Sequence, residues 1–348
     1  MTTHERELTE SVDLCTPDGA ALNPAARGWS RRPLHRANLD GCFGTNKRWD
    51  YWAVLAGDLV VSAVYSDIDH LGLADVWWVD LVTGETGGKA IVAPPDGGIT
   101  LPERPGTAPL RVHRDGLDLQ LVDDDAGTRL TGAWTEPDGR PGALDVLVEL
   151  PPGHESLNVV IPWSDTVFNF TSKHQARPAV GSLVVGGRRW AIGGTDGPES
   201  WGVLDVGRGR WPSEIRWNWG GGAGRSADHV VGLQIGAKWT EGTGFTENGL
   251  IVDGRLSKLG AELRWDYDWD APMMPWRVVD DGVGPDERAL DLTLTPRLDK
   301  HGRTDAVALR TEVHQMFGTW TGTVRDEHGK EYRVEGIQGF AEESRNRW

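Results

Sequence analysis

Short apolar segments recur along almost the whole chain and are separated by turn-forming residues. Residues 51–65 (YWAVLAGDLVVSAVY) contain two apolar runs on either side of Gly57-Asp58, and residues 75–82 (DVWWVDLV) contain another. Runs of this length that are bounded by Gly, Asp and Pro predict β-strands, and a Gly-Asp pair between two of them predicts a hairpin. Many such strands at regular spacing favour an all-β sandwich or barrel.

Helical periodicity with capping residues is weak and confined to residues 341–347. The C-terminal stretch 341–348 (AEESRNRW) is polar and then aromatic, and it could pack as a short helix against the β-structure.

The two halves of the chain resemble each other loosely, since each offers an aromatic strand, a hairpin and another aromatic strand. We expect the break near residue 180, which gives a first β-domain over 41–180 and a second over 181–348. The first 40 residues are rich in Pro, Gly and Arg and have no strand pattern. Because Trp29 and Leu34 need burial, we interpret residues 1–40 as an ordered strap across the two domains.

Composition and charge limit the classes of function that are compatible with this chain. The 348 residues include 18 Trp and 46 Gly, which suit pleated surfaces and tight turns. A net charge of −16 argues against a nucleic-acid partner, which requires a basic face. Two cysteines, Cys15 and Cys42, make no disulfide framework and fit a reducing cytoplasm. There is no apolar run of transmembrane length, no secretory leader and no zinc-ligand spacing, so we expect a cytoplasmic protein without metal or cofactor.

The segment 207–224 (GRGRWPSEIRWNWGGGAG) is the densest mixture of charged and aromatic residues. In a strand, alternate side chains share a face. One face then carries Glu214, Arg216 and Asn218, and the other carries Ile215, Trp217 and Trp219. This strand either lines a site or is a core strand with a solvated Arg/Glu pair.

The segment 232–253 continues an apolar stripe into acidic residues. Its inward-facing positions are Leu233, Ile235, Ala237 and Trp239. Glu241 has the same parity, so we expect its carboxyl to be partly desolvated, which raises a carboxyl pKa and favours a general acid. Glu247 follows a flexible Gly-rich loop. The alternative is that both glutamates are surface residues at a strand end.

Two further segments hold candidate polar groups. Residues 161–174 (IPWSDTVFNFTSKH) interleave Asp165, Lys173 and His174 with aromatic rings, although Asp165 could simply anchor a turn. His314 lies inside an apolar strand (EVHQMFGTW) and is either a ligand-binding residue or a hydrogen-bonded core histidine.

Several stretches of the chain resemble the family called domain of unknown function 2804. They are residues 14–39 (LCTPDGAALNPAARGWSRRPLHRANL), 170–174 (FTSKH), 209–220 (GRWPSEIRWNWG), 238–259 (KWTEGTGFTENGLIVDGRLSKL) and 341–348 (AEESRNRW). The resemblance spans nearly the whole chain, and it implies no particular activity.

A more distant resemblance is to the carotenoid-hydratase-like, lipocalin-related proteins. It rests on Asn218-Trp219-Gly220 and implies two packed lipocalin-like (calycin) antiparallel β-barrels or sandwiches. Some of those proteins add water across an isolated double bond by acid catalysis. They carry Asp and His before this motif, where the present chain has Arg216 and Trp217. Glu214 or Glu241 would have to replace that proton donor.

Three functional hypotheses follow. The first is an enzyme that hydrates, isomerises or cyclises a lipid or terpenoid in a Trp-lined cavity without a cofactor. The second is a non-catalytic protein that binds a hydrophobic small molecule, and the third is a carbohydrate-recognising or carbohydrate-processing protein, since Trp platforms and paired carboxylates also suit sugars. The catalytic candidates are Glu241, Glu214 and Asp165. The substrate-binding candidates are Trp217, Trp219, Trp239, Arg216, Asn218, Glu247, His314 and Lys173.

Overall fold

The computed structural model describes residues 3–95, 97–284, 287–305 and 310–347. Within these ranges the chain forms 24 β-strands and one short 3₁₀-helix, η1 (Pro24–Ala26), which confirms the all-β prediction. None of the described helices has the length and apolarity that a membrane crossing requires.

The first large sheet has thirteen antiparallel strands. They are β2 (Trp29–Ser30), β4 (Asn46–Ala56), β5 (Leu59–Asp67), β6 (Gly72–Asp80), β7 (Thr86–Ala93), β8 (Leu110–Arg114), β9 (Leu117–Asp124), β10 (Gly127–Thr135), β11 (Pro141–Glu149), β12 (Leu157–Pro162), β13 (Phe168–Val185), β14 (Arg188–Ile192) and β15 (Trp201–Arg210). The main order is β7-β6-β5-β4-β15-β13-β11-β10-β9-β8, and β12 and β14 pair with β13. Two short strands outside this sheet, β1 (Val12–Asp13) and β3 (His35–Arg36), pair with each other.

The second large sheet has nine antiparallel strands. They are β16 (Glu214–Ser226), β17 (His229–Ala237), β18 (Asn248–Val252), β19 (Arg255–Leu259), β20 (Arg264–Asp266), β21 (Trp276–Val279), β22 (Leu290–Asp305), β23 (Arg310–Arg325) and β24 (Glu331–Arg347). Their order in the sheet is β19-β18-β17-β16-β24-β23-β22-β21-β20.

Two sequence-based expectations about boundaries need correction. Residue 180 lies within β13, and the chain passes from the first sheet to the second between Arg210 and Glu214. Residues 341–347 are the last part of the long strand β24 rather than a helix, because β16 and β23 pair with β24 on both sides. The apolar pattern of residues 307–320 also predicts a strand. This stretch falls partly outside the described residues, and its described part belongs to β23.

Each sheet buries one apolar face by curling around its own core, and the two sheets bury their other faces against each other. The contact between the sheets includes Leu55 and Val203 of the first and Trp219, Phe317 and Phe340 of the second. Large side chains of this kind contribute about 1.5–3 kcal/mol each when they are fully buried. The strands β16 and β24 therefore have two covered faces where they meet the first sheet, and the site described below lies in this contact.

The N-terminal segment contacts both sheets. Trp29 is buried, its strand β2 pairs with β12, and Leu34 is half-buried. Glu5 forms an ion pair with Lys258 of the second sheet, with 2.7 Å between Oε1 and Nζ, and both side chains are almost fully buried. Burial lowers the pKa of Lys258 to about 8, although Glu5 opposes this effect.

Candidate functional site

Four ionisable side chains, which we call the charged centre, meet between the two sheets: Lys173, Asp205, Glu247 and Glu342. The Lys173 Nζ lies 2.8 Å from Asp205 Oδ1 and 3.1 Å from Glu247 Oε2. The same ammonium lies 4.6 Å from the ring centroid of Trp219, where the ring face attracts a cation. All four residues are buried or nearly so, so these charges interact in a medium that screens them weakly.

Five indole rings, which we call the tryptophan cluster, pack beside the charged centre. They are Trp49, Trp163, Trp211, Trp217 and Trp239. Trp211 is central: its ring stacks on Trp239 at 5.4 Å and 8°, and it contacts the other three rings at 5.3–5.6 Å between centroids. Trp239 is buried, whereas the other four are partly exposed. The cluster therefore extends from the charged centre toward solvent.

The tryptophan cluster and the charged centre are joined by hydrogen bonds, because each of the three carboxyl groups accepts one from a different indole. Trp49 donates to Asp205 over 3.2 Å, Trp239 to Glu247 over 2.6 Å and Trp217 to Glu342 over 2.7 Å. An indole nitrogen can only donate, so these bonds fix the rings relative to the carboxyl oxygens.

Two glycines make room for this arrangement. A Cβ atom at Gly207 would lie 2.0 Å from the Trp49 ring, and one at Gly236 would lie 2.1 Å from the Glu247 carboxyl. No other residue type fits at these two positions unless the ring or the carboxyl moves. The glycine richness of the chain therefore serves the site as well as the turns.

The pKa values of the charged centre depend on burial and on the single lysine. Burial raises the pKa of Glu342 to about 7, and Glu342 has no ion pair within the described part of the chain. Burial also raises the pKa of Glu247, an effect that Lys173 partly offsets. Burial would lower the pKa of Lys173, but Asp205 and Glu247 outweigh it and hold the pKa above its usual value. The pKa of Glu342 therefore lies close to neutral pH.

A second polar network lies on the other face of β16 and β24, inside the second sheet. The hydroxyl of Tyr267 contacts Glu343, Lys238 and Asn218, and Arg345 donates to Glu343 over 2.7 Å. Burial alone would raise the pKa of Glu343, but these donors together lower it. This carboxylate is therefore charged and fully bonded, in contrast to its neighbour in sequence, Glu342.

The structure brings five of the sequence-predicted binding residues together: Lys173, Trp217, Trp219, Trp239 and Glu247. Asn218 is buried but belongs to the network around Tyr267. His314 is also on that other face, where its Nδ1 lies 2.7 Å from Asp299 Oδ2. Within β16, the exposed Glu214 and Arg216 and the inward Trp217 and Trp219 follow the expected alternation.

The three predicted catalytic acids lie at the surface, away from the charged centre. Asp165 pairs with Arg27 over 2.6 Å and its side chain is 81% exposed. Glu214 and Arg216 are also exposed, and Glu214 lies 3.5 Å from Arg347.

The predicted burial of Glu241 is wrong, since this residue is exposed in a turn. The alternation on which it rested stops at Ala237, where β17 ends, and Lys238 has a φ of +72°. A residue with a left-handed backbone conformation interrupts the extended strand, so the side chains beyond it no longer continue the alternation between the two faces.

The most informative residues that sequence reasoning missed are Asp205 and Glu342. Asp205 interrupts the apolar run WGVLDV, and an acid within such a run signals a buried partner. Glu342 is not selected from the sequence because the C-terminal stretch 341–348 is interpreted there as a short helix, whereas residues 341–347 belong to strand β24.

One group of side chains on the second sheet has the composition of a metal site. Potential ligand atoms of His301, Glu312 and His314 lie within 4.8 Å of one another. The two imidazole rings stack in parallel, at 4.2 Å and 3°. Because the lone pairs of an imidazole lie in the ring plane, parallel rings do not direct them at one point. The donors are close together but do not converge on an ion.

Comparisons with known proteins place the chain in a family. The family model described as Domain of unknown function (DUF2804) matches residues 5–348. No curated protein sequence matches this chain.

Three solved structures are similar over nearly their whole length, each with a TM-score of 0.46. They are kievitone hydratase from Nectria haematococca (14% identity, 99% of this chain and 98% of that chain), CghA (11%, 97% and 97%) and an AttH-like protein from Nitrosomonas europaea (12%, 97% and 98%).

Proposed function

The chain belongs to the DUF2804 family, and from that premise we propose that it binds a hydrophobic small molecule at the tryptophan cluster and protonates it through Glu342. One observation carries this proposal. Glu342 is buried between the sheets next to indole rings, and burial raises its pKa to about 7. A general acid works best when its pKa is close to the working pH.

The proposed reaction begins with transfer of the Glu342 proton to an alkene carbon or a carbonyl oxygen of the substrate. Protonation of an alkene gives a carbocation and leaves Glu342 as a carboxylate. Addition of water and return of one of its protons to Glu342 gives hydration, whereas loss of a different substrate proton to Glu342 gives isomerisation. Attack by a second double bond, followed by proton loss, gives cyclisation. In every case the carboxyl is regenerated, so no cofactor is consumed.

The neighbouring groups suit a positive intermediate. The faces of Trp211 and Trp217 offer electron density to a cation, and the carboxylates of Asp205 and Glu247 supply negative charge nearby. Lys173 neutralises part of that charge, since its Nζ lies within 3.1 Å of a carboxyl oxygen of each. Glu342 has no ion pair among the described residues, and burial raises its pKa to about 7.

Binding can be tested by quenching of tryptophan fluorescence with retinol and, separately, with a cello-oligosaccharide. We expect saturable quenching by retinol alone and a loss of affinity of about tenfold or more in Trp211→Leu, because large aromatic anchors dominate binding energy. Saturable binding of the oligosaccharide with no response to retinol would support the carbohydrate hypothesis instead.

Proton transfer can be tested by incubating the protein with polyene and terpenoid alcohols in D₂O and measuring deuterium on carbon by mass spectrometry. We expect incorporation that falls about 100-fold or more in Glu342→Gln, which is the usual scale for loss of a general acid. Glu241→Gln is the matched control, because it makes the same change on an exposed side chain. Binding without incorporation in the unmodified protein would favour the non-catalytic binding protein.

A further inference from the structure

A second cleft, which we call the arginine groove, lies at the end of the second sheet where β16 begins and β24 ends. Its volume is about 370 Å³. The lining residues are Glu214, Ile215, Arg216, Arg310, Arg345, Asn346 and Arg347. Four of these seven side chains are guanidinium groups, in a chain whose net charge is −16.

Strand register sets the arginines opposite one another. Arg216 is the cross-strand partner of Arg345, and Arg310 is the partner of Arg347. Like charges directly opposite each other in a sheet repel and destabilise it. The only carboxylate in the lining, Glu214, lies 3.5 Å from Arg347, and Arg310 lies 3.3 Å from Asp305, which is outside the lining. All four side chains are more than 40% exposed, so these pairs compensate little.

The two central arginines differ in a way that suits ligand binding. Arg345 is held in place, because its guanidinium lies 3.6 Å from the ring centroid of Trp269 and donates to Glu343. Arg216 is exposed, and its side chain has no hydrogen bond or ion pair to any described residue. A fixed guanidinium facing a free one can bind the oxygens of a tetrahedral anion from two sides.

We propose that the arginine groove binds a small phosphate-bearing anion. The guanidinium fork matches phosphate oxygens bidentately, and several positive charges in one cleft favour a ligand with more than one negative charge. The inference is independent of the function proposed for Glu342, because none of the lining residues belongs to the charged centre or the tryptophan cluster.

Isothermal titration of the full chain with inorganic pyrophosphate at low ionic strength tests this proposal, with succinate as the carboxylate comparison. We expect one saturable site for pyrophosphate, weaker binding of succinate, and a loss of affinity of about tenfold or more in Arg216→Ala. Arg225→Ala is the matched control, since Arg225 lies on the same strand, is exposed and pairs with Glu199 outside the groove. It should bind pyrophosphate as the unmodified protein does.

Three results would overturn the proposal. They are no saturable binding of pyrophosphate, equal weakening in Arg216→Ala and Arg225→Ala, and tighter binding of succinate than of pyrophosphate. Arg216→Lys distinguishes bidentate contact by a guanidinium from simple attraction to a positive charge. A loss of affinity close to that of the alanine variant supports bidentate contact, whereas unchanged affinity contradicts it. Because Arg216 is exposed, circular dichroism should show that all these variants fold.

Discussion

Trp217 donates a hydrogen bond of 2.7 Å to Glu342 across the strands β16 and β24. The two residues are diagonal neighbours, since Glu342 lies opposite Trp219 in the register. The bond links a half-buried ring of the tryptophan cluster to a carboxyl group of a residue that is 7% exposed. It also supplies the only hydrogen-bond donor that Glu342 has in the described part of the chain, which leaves the second carboxyl oxygen available to carry a proton.

The first prediction concerns stability and pH. The pKa of Glu342 is raised from 4.5 to about 7 by burial, so the folded protein holds a proton that the unfolded chain releases between these pH values. The unfolded state therefore binds fewer protons there, and stability falls as the pH rises from about 4.5 to 7. The decline amounts to about 3 kcal/mol, since one pKa unit corresponds to about 1.4 kcal/mol.

Urea unfolding at pH 5 and pH 8 measures this effect. Glu342→Gln, which cannot ionise, should lack this part of the decline and so gain stability relative to the unmodified protein at pH 8. The matched Glu241→Gln should leave the decline unchanged. If both variants retain the same pH dependence as the unmodified chain, the carboxyl of Glu342 is ionised throughout.

The second prediction concerns the lysine of the charged centre. Lys173→Met removes the cation and leaves Asp205 and Glu247 buried together, so we expect a loss of about 3–5 kcal/mol in the free energy of unfolding at neutral pH. The exposed Lys330→Met should change it by about 0.5 kcal/mol at most. Recovery of stability at acid pH in Lys173→Met alone would follow from protonation of the freed carboxylates, and its absence would contradict the ion-pair geometry.

The third prediction concerns Trp211, whose ring contacts the other four of the cluster. Trp211→Leu removes these contacts, each worth about 0.5–1.5 kcal/mol beyond the buried area. Near-ultraviolet circular dichroism should lose most of the signal that arises from coupled indoles. Trp190→Leu removes a single ring pair, with Trp78 at 5.3 Å, and should lose less. A larger loss in Trp190→Leu would show that the cluster is not the dominant coupled group.

The fourth prediction concerns Lys258, whose pKa is lowered to about 8 by burial. Between pH 8 and 10.5 the unfolded chain binds the proton that the folded protein has lost, so stability should rise with pH across this window, by about 3 kcal/mol in total. The difference in the free energy of unfolding between the unmodified protein and Lys258→Met, measured across this pH range, isolates the contribution of Lys258 from those of other groups that titrate there. A difference that does not change with pH would mean that Lys258 stays charged.

Period-two alternation located the strands and the orientation of Trp217 and Trp219, because both faces of β16 are constrained by packing. The same rule failed for Glu241 because Lys238 leaves the strand conformation, and a single backbone reversal has no apolar pattern of its own. The alternation of side chains predicts their orientation only up to the last residue of a strand. The glycines that follow, such as Gly242, do not show that the strand has already ended at Ala237.

The members of the charged centre come from positions up to 169 residues apart, Lys173 and Glu342 among them. Lys173 and Glu247 could be selected from local composition, since each lies among aromatic residues. The partnership with Asp205 and Glu342 depends on which strands become neighbours in space. Local patterns carry no information on the pairing of β16 with β24, and the C-terminal residues alone have a composition that suits a helix.

The contact between Glu5 and Lys258 has a consequence for the order of events during synthesis. The two residues are 253 positions apart, so the N-terminal segment leaves the ribosome long before its buried partner exists. At about 5–20 residues per second the delay is roughly 10–50 s. During this interval the carboxylate of Glu5 stays in water, although β2 can already pair with β12. The buried ion pair therefore forms late, after every strand of the first sheet has been synthesised.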